Sequence, residues 1–145
     1  MASVRKFRPQ SAGQVERVSR TKVELAANVA VRKGRPAVID GGYYREPAAG
    51  VETLSPLRGR WTQDVDNTGG AAGAKVAEID FYKEFQVAWL NNDTEGSPVQ
   101  KADRGSQCFW AGPFTVTSAA DGNSAAGEVF DVTSDGRFVA VKLEA

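Results

Sequence analysis

The sequence predicts an all-β protein: a small sandwich or barrel of short antiparallel strands, with an extended N-terminal arm and a long glycine-rich loop. Three observations carry this. Short runs rich in β-branched and aromatic residues recur through the second half of the chain. Clusters of Gly, Asp, Asn and Ser separate them as turns. Before them, apolar and polar residues alternate with a period of two, as in a strand with one buried face. At 145 residues the chain has the size of one domain and can bury a core without disulfides or metals. Its 41% hydrophobic and 25% charged content is that of a globular protein.

The elements follow in order. Residues 1–20 hold no sustained period and are interrupted by Pro9 and Gly13, so they read as an extended arm. Val23, Leu25, Ala27, Val29 and Val31 alternate with Lys22, Glu24, Asn28 and Arg32 and predict a first strand. Lys33-Gly34-Arg35-Pro36 reads as a turn. Ala37-Val38-Ile39 reads as a second strand, closed by Asp40-Gly41-Gly42, and Tyr43-Tyr44 opens a third. Residues 46–76 read as a long excursion anchored by Leu54, Leu57 and Trp61, with a flexible tip at 67–74. Long loops in compact domains are often binding loops.

In 78–90, a strand puts Ile79, Phe81, Phe85, Val87 and Trp89 on one face and Glu78, Asp80, Glu84 and Gln86 on the other. A helix would make a stripe of Phe81, Phe85, Ala88 and Trp89; the β-branched and aromatic content favours the strand. Beyond it, 107–110 and 114–117 are short strands around Gly112-Pro113. Residues 128–132 and 137–143 form a hairpin about Ser134-Asp135-Gly136. No internal repeat or heptad is visible. The predicted organisation is an arm over 1–20 and a single β-rich domain over 21–145.

Composition removes several function classes. Lys+Arg and Asp+Glu are both 18, and a zero net charge argues against a dedicated nucleic-acid binder. No apolar run approaches the ~18 residues of a membrane span, and no apolar signal segment is visible. Histidine is absent, which rules out Ser-His-Asp and Cys-His catalysis. The single cysteine, Cys108, allows no internal disulfide and reads as a buried, inert thiol. The charge is unevenly spread: residues 1–35 hold nine basic and two acidic side chains, the remaining 110 nine and sixteen. A basic arm on an acidic body suggests that the arm meets an acidic surface.

The motifs with chemical meaning fall short. Gly69-Gly70-Ala71-Ala72-Gly73-Ala74-Lys75 lacks the Gly-Lys-Ser/Thr of a phosphate loop. Asp64-Val65-Asp66-Asn67-Thr68-Gly69 starts like a calcium loop, but Lys75 stands where the bidentate Glu belongs. Glu78, Asp80 and Glu84 could pair as catalytic carboxylates, yet alternating acids are commoner on a solvated strand face. No cofactor or metal is expected. Trp61, Trp89 and Trp110 read most simply as core or edge packing. Trp61 is the best interface candidate, because Arg58-Gly59-Arg60 precede it in a polar loop.

Read together, the strand Phe81–Leu90 with its Asn91-Asn92 end, then Ala102-Asp103-Arg104-Gly105-Ser106-Gln107-Cys108-Phe109-Trp110, Thr115-Val116-Thr117, Ala126-Gly127-Glu128-Val129 and Gly136-Arg137-Phe138-Val139-Ala140-Val141 resemble the capsid decoration, or cement, proteins of tailed bacteriophages. The resemblance covers roughly residues 80–145, and the excursion at 46–76 departs from it. It implies a non-enzymatic β-rich protein on the virion exterior, made in the host cytoplasm, that bridges major capsid protein subunits. It further implies self-association, with a trimer favoured, and arms that reach neighbouring subunits. Arg5, Phe7, Arg8 and Arg17 in the arm, with Arg60 and Trp61 in the long loop, are the expected contacts. The alternatives are a tail or head–tail connector component, a nucleic-acid-binding β-barrel, and an enzyme using Glu78 or Asp80.

Overall fold

A computed structural model describes residues 20–81 and 86–142, and the arm lies outside them. The described residues are all β apart from one 3-10 turn at Lys101–Asp103. The strands are β1 (Arg20–Glu24), β2 (Ala30–Val31), β3 (Pro36–Asp40), β4 (Tyr43–Arg45), β5 (Gly59–Trp61), β6 (Val65–Asp66) and β7 (Val76–Phe81), then β8 (Val87–Asn92), β9 (Gln107–Trp110), β10 (Thr115–Thr117), β11 (Ala125–Val132) and β12 (Phe138–Lys142). The first half makes an antiparallel five-stranded sheet in the order β1-β7-β5-β3-β4, and β2 pairs with β6 beside it. The second half makes a closed five-stranded barrel in the order β10-β8-β12-β11-β9. Its β10–β8 junction is parallel and the other four are antiparallel. Closure leaves no full-length free edge on the barrel.

The two halves share one topology. The first sheet curls until Tyr44 of β4 meets Leu25, just past β1, in a parallel bridge. Matching β1, β3, β4, β5 and β7 to β8, β9, β10, β11 and β12 reproduces every neighbour and the register. Ala37 faces Gly59 as Cys108 faces Gly127. Trp61 faces Ile79 as Val129 faces Val141. Thr21 faces Ile79 as Ala88 faces Val141. Leu25 meets Tyr44 as Asn92 meets Val116. The turns agree too: Gly34 N–H donates to Trp61 O at 2.8 Å, and Gly105 N–H to Val129 O at 2.9 Å. Both glycines have positive φ, +91° and +89°. Of these eight equivalent pairs only the two glycine pairs keep their identity. The sequence shows no repeat because barrel register needs the parity of side chains, not their identity.

Each half has its own core. Leu25, Val31, Ala37, Trp61, Ala77 and Ile79 fill the first. The barrel core holds Leu90, Trp110, Val116, Val129, Val139 and Val141, together with Val38, Leu54 and Leu57 from the first half. Residues 46–58 are the joint between the halves. Leu57 N–H donates to Ala126 O at 3.0 Å, Ser124 Oγ donates to Val51 O at 2.6 Å, and Trp110 Nε1 donates to Ser55 O at 3.3 Å.

Three expectations are corrected. The first strand does not run to Val31. It stops at Glu24, because Asn28 sits at φ +56°, a left-handed turn that Asn tolerates and a strand does not. Nor is 46–76 one loop. It contributes β5 and β6, and its tip is tied down where Asn67 Nδ2 donates to Ala26 O at 2.9 Å and Ala71 O at 3.2 Å. Finally, 78–90 is not one strand of constant parity. Ile79 is buried in β7, but in β8 Ala88 and Leu90 point in and Trp89 points out. Phe85 and Glu84 lie outside the described residues.

Candidate functional site

The outer wall of the barrel carries an aromatic face. Alternation along β8 buries Ala88, Leu90 and Asn92 and turns Trp89 outward, 50% exposed. Across the ladder, Trp89 faces Ala140 and Asn91 faces Phe138, so Trp89 and Phe138 are diagonal neighbours on one face. Phe138 is 36% exposed, with the Arg137 guanidinium 5.4 Å from its ring centre. Phe130, 59% exposed, stands at an irregularity in β11, where the register against β12 shifts between Val129 and Asp131. The bulge lets Val129 and Val132 both point inward and pushes Phe130 out. The spacing in Val129-Phe130-Asp131-Val132 is the sequence signal that could have revealed it: two core valines three apart do not fit a flat strand. Monomeric proteins rarely expose several large aromatics on one wall without a partner for them.

β8 is anchored at its C-terminal end. The buried Asn92 donates through Nδ2 to Val99 O and Gly136 O, both at 2.9 Å, and accepts from Val99 N–H at 2.8 Å. Beside it, Asp93 accepts from Glu95 N–H, Ser97 N–H and Thr117 Oγ1. Those backbone bonds, led by the one from Glu95, hold its carboxyl below the usual range. The Asn-rich end of this strand is therefore a side-chain clamp on the next loop.

Of the expected contact residues, Arg5, Phe7, Arg8 and Arg17 lie outside the described residues. Arg60 is exposed on β5, with its guanidinium 3.9 Å from Asp80. Trp61 is fully enclosed in the first core, so it is not a contact surface in the folded protein. It follows Arg60 on a strand, not in a loop, and strand alternation turns it inward. Glu78 and Asp80 share the outer face of β7, where Arg20 lies 3.8 and 3.9 Å from them and Thr62 Oγ1 donates to Glu78 at 2.8 Å. They form a solvated charge row; pairs this exposed contribute at most about 1 kcal/mol each. Glu84 lies outside the described residues. In the calcium-like loop, the Lys75 ammonium itself donates to Asp66 O at 2.6 Å.

Cys108 is sealed in the barrel core, its Sγ 3.4 Å from Gly127 O. Burial pushes its thiol up to about 12. The native protein should therefore not react with a thiol reagent at pH 8, and full reaction should need denaturant. Because the unfolded value is 9.0, this thiol's stabilising contribution is complete below pH 9 and is lost as pH rises towards 12. Urea midpoints falling over that window in wild type, but less in Cys108→Ala, would confirm it.

No family model, curated protein or solved structure matches this chain.

Proposed function

We propose that this chain is a capsid decoration protein of a tailed bacteriophage, binding the outer shell and cementing neighbouring major capsid protein subunits. The observation that carries the reading is the aromatic face of Trp89, Phe130 and Phe138, on a barrel whose core is already filled without them. Such a surface suits permanent docking onto a protein, where buried aromatics supply affinity. The strand-and-turn pattern that resembles cement proteins supports the same reading, because from Val87 onward its strand segments fall on β8–β12. The basic arm and acidic body suit head-to-tail contact between copies, orienting docking more than strengthening it. Self-association, a place on the virion exterior and a non-enzymatic role belong to this proposal.

The test is co-sedimentation of the purified chain with expanded capsids and, separately, with unexpanded procapsids. Binding to expanded capsids alone supports a late-acting cement whose site appears on shell maturation. No binding to either overturns the reading in favour of a tail or connector role. Reversing two arm charges, Arg5→Glu with Arg8→Glu, should lower capsid occupancy several-fold in low salt; unchanged occupancy would remove the arm from the contact.

A further inference from the structure

The N-terminal half of β8 has an open edge. β10 pairs with β8 only at Asn91 and Asn92. The Asn91 N–H points to that side and donates to Phe114 O at 2.9 Å; the Asn92 N–H points the other way, to Arg137 O at 2.9 Å. Backbone groups alternate sides along a strand, so the N–H and C=O of Val87 and Trp89 face the same way as those of Asn91. Among the described residues, no backbone group pairs with them there.

This edge is one wall of a groove of about 260 Å³ between the halves, lined also by Phe114 and, from the first half, by Gly34, Pro36 and Arg60. The first half offers the edge little to bond. Pro36 has no N–H, and the Gly34 N–H is already given to Trp61 O. Trp89, half-exposed, is among the residues that line the groove. Arg60 lines it too, and among the described residues its guanidinium pairs only with Asp80, at 3.9 Å and shared with Arg20.

We infer that this groove takes an extended segment of the partner protein as an added strand on β8. Its backbone pairs with Val87 and Trp89, an apolar side chain lies against Trp89 and Phe114, and a carboxylate meets Arg60. Strand addition draws affinity from main-chain bonds and specificity from the flanking side chains. The inference rests on the decoration reading, in which the segment belongs to the capsid protein. Charge selects against the chain's own arm as the occupant: Arg5, Lys6, Arg8 and Arg17 would bring like charge to Arg60.

The test uses full-length chain and expanded capsids, with three variants whose urea midpoints are checked first. Arg60→Glu reverses the rim charge, and Trp89→Ala removes the apolar wall. Val87→Pro deletes an outward N–H at the first residue of a strand, where proline is tolerated. Each should weaken capsid binding at least tenfold, and hydrogen exchange across 86–92 should slow in the wild-type complex. If wild type binds while all three variants bind within twofold and exchange there is unchanged, the groove is not the site and the decoration reading stands. If wild type binds neither capsid form, both fall. Protection of 86–92 in free protein that grows with its concentration gives the groove to a second copy and overturns the inference.

Discussion

Replacing Trp61 with alanine should cost the fold about 3–5 kcal/mol, the range for emptying a large aromatic site in a packed core. The side chain is 0% exposed and lies with Leu25, Ala37, Ala77 and Ile79. Its Nε1 is buried with no hydrogen-bond partner. Trp61→Phe should therefore cost much less, because the N–H it removes has no acceptor to lose. Urea unfolding followed by circular dichroism measures both. Under conditions where Trp61→Ala stays folded, its capsid binding should match wild type. The reverse result, an unchanged midpoint with lost binding, would place Trp61 at the interface as its polar sequence neighbours suggest.

The second large effect is expected at the two glycines that occupy equivalent places in the halves. A Cβ on Gly59 would stand 2.5 Å from the backbone oxygen of Asp80 on β7. One on Gly127 would stand 2.7 Å from Val141 Cγ1 and 3.0 Å from Lys142 O on β12, at φ +153°. Strands approach too closely at both for a methyl group. Gly59→Ala should cost about 1–3 kcal/mol as overpacking. Gly127→Ala adds backbone strain and should cost more. The control is Gly41→Ala, at φ +60° with open space around it, where only the left-handed backbone is penalised, by about 1–2 kcal/mol. A Gly59→Ala penalty below about 0.5 kcal/mol would mean that strand approach is not what requires glycine there.

The site was less legible than the fold. Arg60 was visible as an exposed cation, but Trp61 beside it belongs to the core, and Trp89 is the exposed tryptophan. Both reversals come from strand parity. A period of two names two faces without saying which is inside, and one shifted residue exchanges them. For Trp61, the polar Arg58-Gly59-Arg60 argued for a loop, whereas pairing with β3 and β7 makes 59–61 a central strand. The groove at β8 was beyond sequence reasoning, because its walls come from residues 34–60 and 87–114.

By itself, the sequence determined the all-β class, the short strands of the second half and their turns. These follow from local properties: β-branched and aromatic runs, and Gly-Asp-Asn breaks at close spacing. It also determined that Cys108 would be buried, from its place in an apolar strand. Only the tertiary structure decided that two halves with almost no shared sequence adopt one topology. It also decided that 46–58 joins them through Leu54 and Leu57, and that Trp89, Phe130 and Phe138 remain outside. The physical reason is that closing a curved sheet is a condition on register over the whole chain. Parity and two close-packed glycines satisfy it, and neither can be read from a single strand.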